Sequence, residues 1–208
     1  DLDAPDKVVW LRGHADMPSR KRALTEYYDG PIWREHRAET NATIVDSDDV
    51  LLLRPAATIL PSGSAAVVAA SIVSLTPGNE ASFPALFEKT LRPALVEAGA
   101  SPFATFVSEH AENNFPRHPV REGERVFVWL SAFPSIAAHE AYRGALAASP
   151  AWKEVGPVQH LRLAPTKRSP MGAGLPGYTL ERTGQVTDFD FLAGTWDGTI
   201  PYPEATAT

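Results

Sequence analysis

The sequence predicts an α+β fold made of two related units. The first observation behind this is an internal repeat. Residues 7–34 (KVVWLRGHADMPSRKRALTEYYDGPIWR) and 125–153 (RVFVWLSAFPSIAAHEAYRGALAASPAWK) share three anchors at a constant offset of 119 residues. Trp10 matches Trp129, Pro31 matches Pro150 and Trp33 matches Trp152, with no gap between them. Such a repeat is read before anything else. The second observation is the order of elements between 65 and 163, strand–helix–strand–strand–helix–strand. That is the ferredoxin-like pattern. Ahead of it, residues 1–60 supply only the β-α-β second half of such a unit.

The elements follow from local signals. Residues 7–15 read as a strand, with Val8, Trp10, Arg12 and His14 on one face by alternation. A helix over 18–28 carries Pro18 in its first turn and stops at Asp29-Gly30. Residues 31–37 make a short helical turn. The apolar run 50–54 is a strand, and 56–63 is a Pro/Gly/Ser-containing linker. Residues 65–75 are an apolar strand ended by Pro77-Gly78. In 82–98, Phe83, Leu86, Phe87, Leu91, Leu95 and Ala98 recur at spacings of three and four, one face of a helix. Pro93 predicts a kink near Lys89. Residues 103–108 are a strand and 113–123 a polar loop. Val126 to Leu130 is rich in β-branched and aromatic residues, as in a strand buried on both faces. Ser135 caps the next helix, Pro150 stops it, and 158–163 is the last strand.

The expected domains are therefore 1–60, 61–166 and an arm at 167–208 that wraps the core or a partner. The arm holds a strand at 178–181 and anchors at Phe189, Phe191 and Trp196. A ferredoxin-like sheet runs 4-1-3-2, so the third (7–15) and fourth (50–54) strands of the first unit do not touch. Something must fill the slot: a preceding segment carried as a separate chain, a strand from a second copy, or the arm. A homo-oligomer is expected.

Composition excludes several classes. The chain has 25 acids against 19 bases and a formal charge of −6, which argues against a general nucleic-acid binder. It has no cysteine, so thiolate chemistry is absent. The longest apolar stretch, 65–73, is far short of the ~20 residues a membrane span needs. No secretory segment opens the sequence, and a cytoplasmic location away from membranes is expected.

Polar residues on faces otherwise given to Trp carry the candidate chemistry. Arg12 is either an anion anchor or a rim residue at a strand end. His14 is either a general acid or base or a rim residue too. Trp33, His36 and Arg37 share a helix face, as a pocket wall with two groups for an acidic ligand or as a core Trp with a solvated basic edge. Asn113, Asn114, Arg117, His118 and Arg121 crowd one loop stiffened by Pro116 and Pro119, in binding or in satisfying turn backbone. His110, His118 and Glu109 lack a compact metal-ligand spacing. The string 172–177 matches G-x-G-x-x-G, but no strand leads into it and Pro176 blocks the helix that should follow.

VVWLRG (8–13), YYDGPIWREHR (27–37), NATIVDSDDVLLLRP (41–55) and NNFPRHPVREGERVFVW (113–129) together resemble the NIPSNAP family over roughly residues 1–166. The resemblance implies tandem dimeric α/β-barrel units, with two ferredoxin-like sheets packed face to face. It brings little chemistry. His14 stands where the family pattern has an aromatic residue and His118 where it has Leu. The expected function is a small-molecule enzyme without a bound cofactor or metal. It moves a proton with His14 or His36, with Arg12 as the third catalytic group, on a small acidic or carbonyl substrate. Trp10, Trp33, Arg37, Asn114, Arg117 and His118 are expected to bind that substrate. The alternative is a non-catalytic binding or assembly module.

Overall fold

A computed structural model describes residues 1–44, 49–58, 65–153 and 155–165. Five strands form one antiparallel sheet: β1 (Leu53–Thr58), β2 (Val67–Ser74), β3 (Ser101–Ser108), β4 (Val126–Phe133) and β5 (Val158–Leu163). Their order is β1-β3-β4-β2-β5. β4 is central, paired with β2 through Trp129↔Ser71 and with β3 through Trp129↔Thr105. Its apolar residues are buried on both faces, as a central strand demands.

Period-two alternation divides the sheet into two packed faces. One carries Val67, Ala69, Val73, Phe127, Trp129 and Phe133. Helices cover it. α3 (Phe83–Leu86), a wide turn at Phe87–Leu91 and α4 (Arg92–Glu97) supply Phe83, Phe87, Leu91 and Leu95, and α5 (Ile136–Ala148) supplies Tyr142 and Leu146. The other face carries Val68, Ala70, Phe106, Val126, Val128 and Leu130, with Val9 and Leu11 of the N-terminal segment packed on it.

The disturbance expected near Lys89 is a π-type turn. The Arg92 N–H donates to the Phe87 carbonyl, five residues back. Pro93 has no N–H to give the Lys89 carbonyl, so the helix loses a rung just where it widens.

The 119-residue offset recurs in the helix bounds. α1 (Met17–Asp29) and α5 (Ile136–Ala148) begin and end at positions 119 apart, as do the starts of α2 (Pro31–Thr43) and α6 (Pro150–Lys153). Their N-caps correspond too. Asp16 accepts from Ser19 N at 2.7 Å, and Ser135 accepts from Ala138 N at 3.0 Å. Gly30 joins α1 to α2 because a Cβ there would stand 2.7 Å from the Glu26 carbonyl oxygen.

The strand expected over 7–15 is not formed, and Trp10 is not buried. The segment has no ladder, and Trp10 and Val8 are 48% and 47% exposed while Trp129 is 1% exposed. A strand persists through its neighbours: β4 has β2 and β3 on either side, and 7–15 has neither among the described residues. The alternation survives, with Val9 and Leu11 inward like their counterparts Val128 and Leu130. The strand expected at 50–54 forms instead at Leu53–Thr58, and it pairs with β3 as an edge of the same sheet. Pro55 sits there beside an irregularity between Pro55 and Ala57, as an edge permits. α2 runs six residues beyond the expected end, to Thr43. The arm, its strand at 178–181, the anchors Phe189, Phe191 and Trp196, and the string 172–177 lie outside the described residues. Among the described residues no helix is long and apolar enough to cross a membrane.

Candidate functional site

The chemistry-bearing side chains gather where the N-terminal segment, the start of α1 and the 113–121 loop meet. The Asp16 cap sets the phase of α1, and that phase turns Arg20 and Leu24, one helical turn apart, into the interior. Arg20 is 5% exposed. Its Nη1 donates to Asn113 Oδ1 at 3.0 Å and to Asn114 Oδ1 at 2.9 Å. The two amides tie helix to loop. Asn114 Nδ2 donates to the Met17 carbonyl and Asn113 Nδ2 to the His118 carbonyl at 3.0 Å. Asn113 Oδ1 also accepts from Phe115 N. Among the described residues no carboxylate pairs with Arg20. A buried guanidinium held only by neutral amides keeps its full charge uncompensated, a costly arrangement.

A second guanidinium lies beside it. Arg12 packs over the Tyr27 ring at 5.6 Å, and its charge acts on the neighbouring Tyr28 hydroxyl. His14 and His118 are half-buried next to both arginines. Burial first, then Arg12 and Arg20, lower the pKa of His14 to about 4. The same causes, in the same order, lower that of His118. His118 Nδ1 is buried without a hydrogen-bond partner. Burial raises the Tyr28 pKa, with Arg12 and Arg117 opposing. At neutral pH the site therefore presents fixed positive charge beside two neutral imidazoles, able to hold an anion and to accept a proton.

An aromatic wall backs the cluster. Tyr28 stacks on Phe115 at 5.6 Å, meets Trp33 edge-on at 4.7 Å and lies 6.1 Å from the His118 ring. Arg117 covers Tyr28 and Phe115 from the solvent side and pairs with Asp29 at 2.5 Å. Of the residues expected from sequence, Arg12, His14, Asn114, Arg117 and His118 come together, and Trp33 lines the wall. Trp10 lies on the outward side of its segment. His36 and Arg37 are exposed on α2, with no hydrogen bond or ion pair among the described residues. Sequence reasoning missed Arg20, Tyr27 and Tyr28. The one signal for Arg20 was its place one turn before Leu24 on α1, which does not by itself mark a buried Arg.

Other polar features do not compete. A cavity of about 160 Å³ includes Arg121 of the same loop but none of Arg12, His14, Arg20 and His118, and with Glu109, Glu112, Glu122 and Glu124 in its lining its acids outnumber its bases. Ser71 Oγ lies 3.0 Å from His160 Nδ1, but Ser71 is 2% exposed and closed to a substrate. His110 pairs with Glu80, which also takes Arg125 at 3.0 Å. Among the described residues no group of His, Asp and Glu could hold a metal ion. Comparison of the chain with protein-family models and with curated proteins gives no match.

Proposed function

We propose that the chain is a small-molecule enzyme of the dimeric α/β-barrel type, related to the NIPSNAP family, that moves a proton without a cofactor. The carrying observation is the convergence of Arg12, Arg20, His14 and His118, two guanidiniums beside two neutral imidazoles. His14 takes a proton from the carbon next to a carbonyl. Arg12 and Arg20 stabilise the enolate oxygen or hold a carboxylate. Isomerisation, elimination, cyclisation and cofactor-free oxygenation all begin with that step. The strand order across β2 to β5 supports reading 61–166 as a complete ferredoxin-like unit. The test is deuterium incorporation from D2O into a panel of small carbonyl acids, read by mass spectrometry. Exchange that His14→Gln abolishes, with folding retained, is expected. No exchange into any member sinks the proton-transfer reading.

A specific observation favours a second reading, an assembly module. Residues 7–15 keep the alternation of a strand, have no ladder among the described residues, and expose Val8 and Trp10. A preceding segment or a second copy would complete that sheet, since an open apolar strand invites pairing. Light scattering across a concentration series tests the second copy. A mass that stays monomeric throughout removes it.

A further inference from the structure

We infer that the cluster of Arg12, His14, Arg20 and His118 is a binding site for a compact anion, carboxylate or sulfate-like, and that one of its imidazoles takes up a proton as the anion binds. This rests on the proposed site and names its ligand class and its control by pH. Arg20 is 5% exposed and, among the described residues, is held only by the amide oxygens of Asn113 and Asn114. A charge kept in that setting without a carboxylate is stabilised by an anion brought from solution. His118 Nδ1, buried and unpartnered beside it, is the second polar group left for a ligand. His14 and His118 are partly exposed, and theirs is the side from which a small anion would enter.

The charges around the imidazoles decide the sign of the coupling. From the N-terminal segment come Arg12 and Asp16, the latter turned to Ser19 N at the helix start. From α1 come Arg20, Tyr27, Tyr28 and Asp29, whose carboxylate is taken by Arg117. From the loop come Arg117 and Arg121, the latter 3.5 Å from Asp49 and 3.7 Å from Glu124. The two guanidiniums oppose protonation of His14 and His118. An anion between them cancels that opposition and lends the imidazolium a partner. Binding thus raises proton affinity, and by reciprocity a proton raises anion affinity.

Isothermal titration with sulfate and with oxalate tests this. Neither changes charge between about pH 5.5 and 8, the range that brackets an ordinary histidine. Affinity should tighten as pH falls, by up to about tenfold per pH unit for one proton. At one pH the measured heat should depend on the buffer's own ionisation heat, because a proton is taken from it. His14→Gln and His118→Gln should each bind; the one that removes the proton acceptor should lose the pH slope and the buffer dependence. Asn113→Asp, which hands Arg20 a carboxylate in place, should abolish binding. Binding with no proton uptake overturns the inference and leaves the proton-transfer proposal standing. No binding of either anion, in a protein that still exchanges substrate protons, also overturns it. Loss of both anion binding and exchange sinks the site itself.

Discussion

Arg20 ties α1 to the 113–121 loop through two charge-assisted bonds, each worth more than a neutral one. Asn113→Ala removes one of them, together with the contacts to the His118 carbonyl and Phe115 N–H. We expect a loss of about 2–3 kcal/mol in urea unfolding, the range for a bond to a buried charge. His14 gives the pH prediction. Its folded pKa of about 4 lies below the ordinary histidine value of 6.5, so the unfolded chain binds the extra proton. Stability is full above the unfolded value and falls as pH drops from about 6.5 toward 4, by up to ~1.4 kcal/mol per pH unit for one group. His118, His139 and His160 are shifted the same way by burial. Melting temperature should fall on acidification over that window, and His14→Gln should make the fall shallower. An unchanged slope would mean His14 is accessible to protons when folded.

At the scale of elements, the 119-residue offset is seen in capping and helix length. Ser135 and Asp16 do the same work 119 residues apart, satisfying the N–H three residues on. Ser135→Ala should cost about 1 kcal/mol, measured by denaturant unfolding, because its helix covers Phe133 and Trp129. Asp16→Ala should also destabilise, and should loosen Arg20 because it shares the same first turn. The wide turn before Pro93 belongs to this scale too. It keeps Phe87 and Leu91 on the core side, 0% and 3% exposed, where an unbroken helix with a proline would lose its rung.

Across the whole molecule, two segments of matching pattern have different fates. Val126–Phe133 is flanked on both sides and sealed under helices, while 7–15 lies over the opposite sheet face with no ladder among the described residues. Hydrogen exchange reads this directly. Amides of β4 should exchange only by global opening, and those of 8–14 should exchange orders of magnitude faster. Protection of 8–14 that appears only at high protein concentration would support the assembly reading. Equal protection at every concentration would show a ladder already present.

The sequence by itself determined most of the helices and the strands β2 to β5. Proline positions, cap residues and three-and-four spacing are local, so α1, α5 and the strand at 158–163 were legible without any tertiary information. Of the nine candidate site residues, Arg12 and His14 were legible as polar groups on a face shared with Trp10, and Asn114, Arg117 and His118 as a polar loop stiffened by prolines. Only the tertiary structure decided the rest. Whether Val8-Val9-Trp10-Leu11 is a strand depends on hydrogen-bond partners from elsewhere, and a residue pattern carries no record of who those are. The same holds for Leu53–Thr58, whose place beside β3 comes from a neighbour about fifty residues away. Arg20 was hidden because a lone Arg on an amphipathic helix reads as surface. Its burial appears only once the Asn113-Asn114 loop is folded over it, and that contact spans 93 residues.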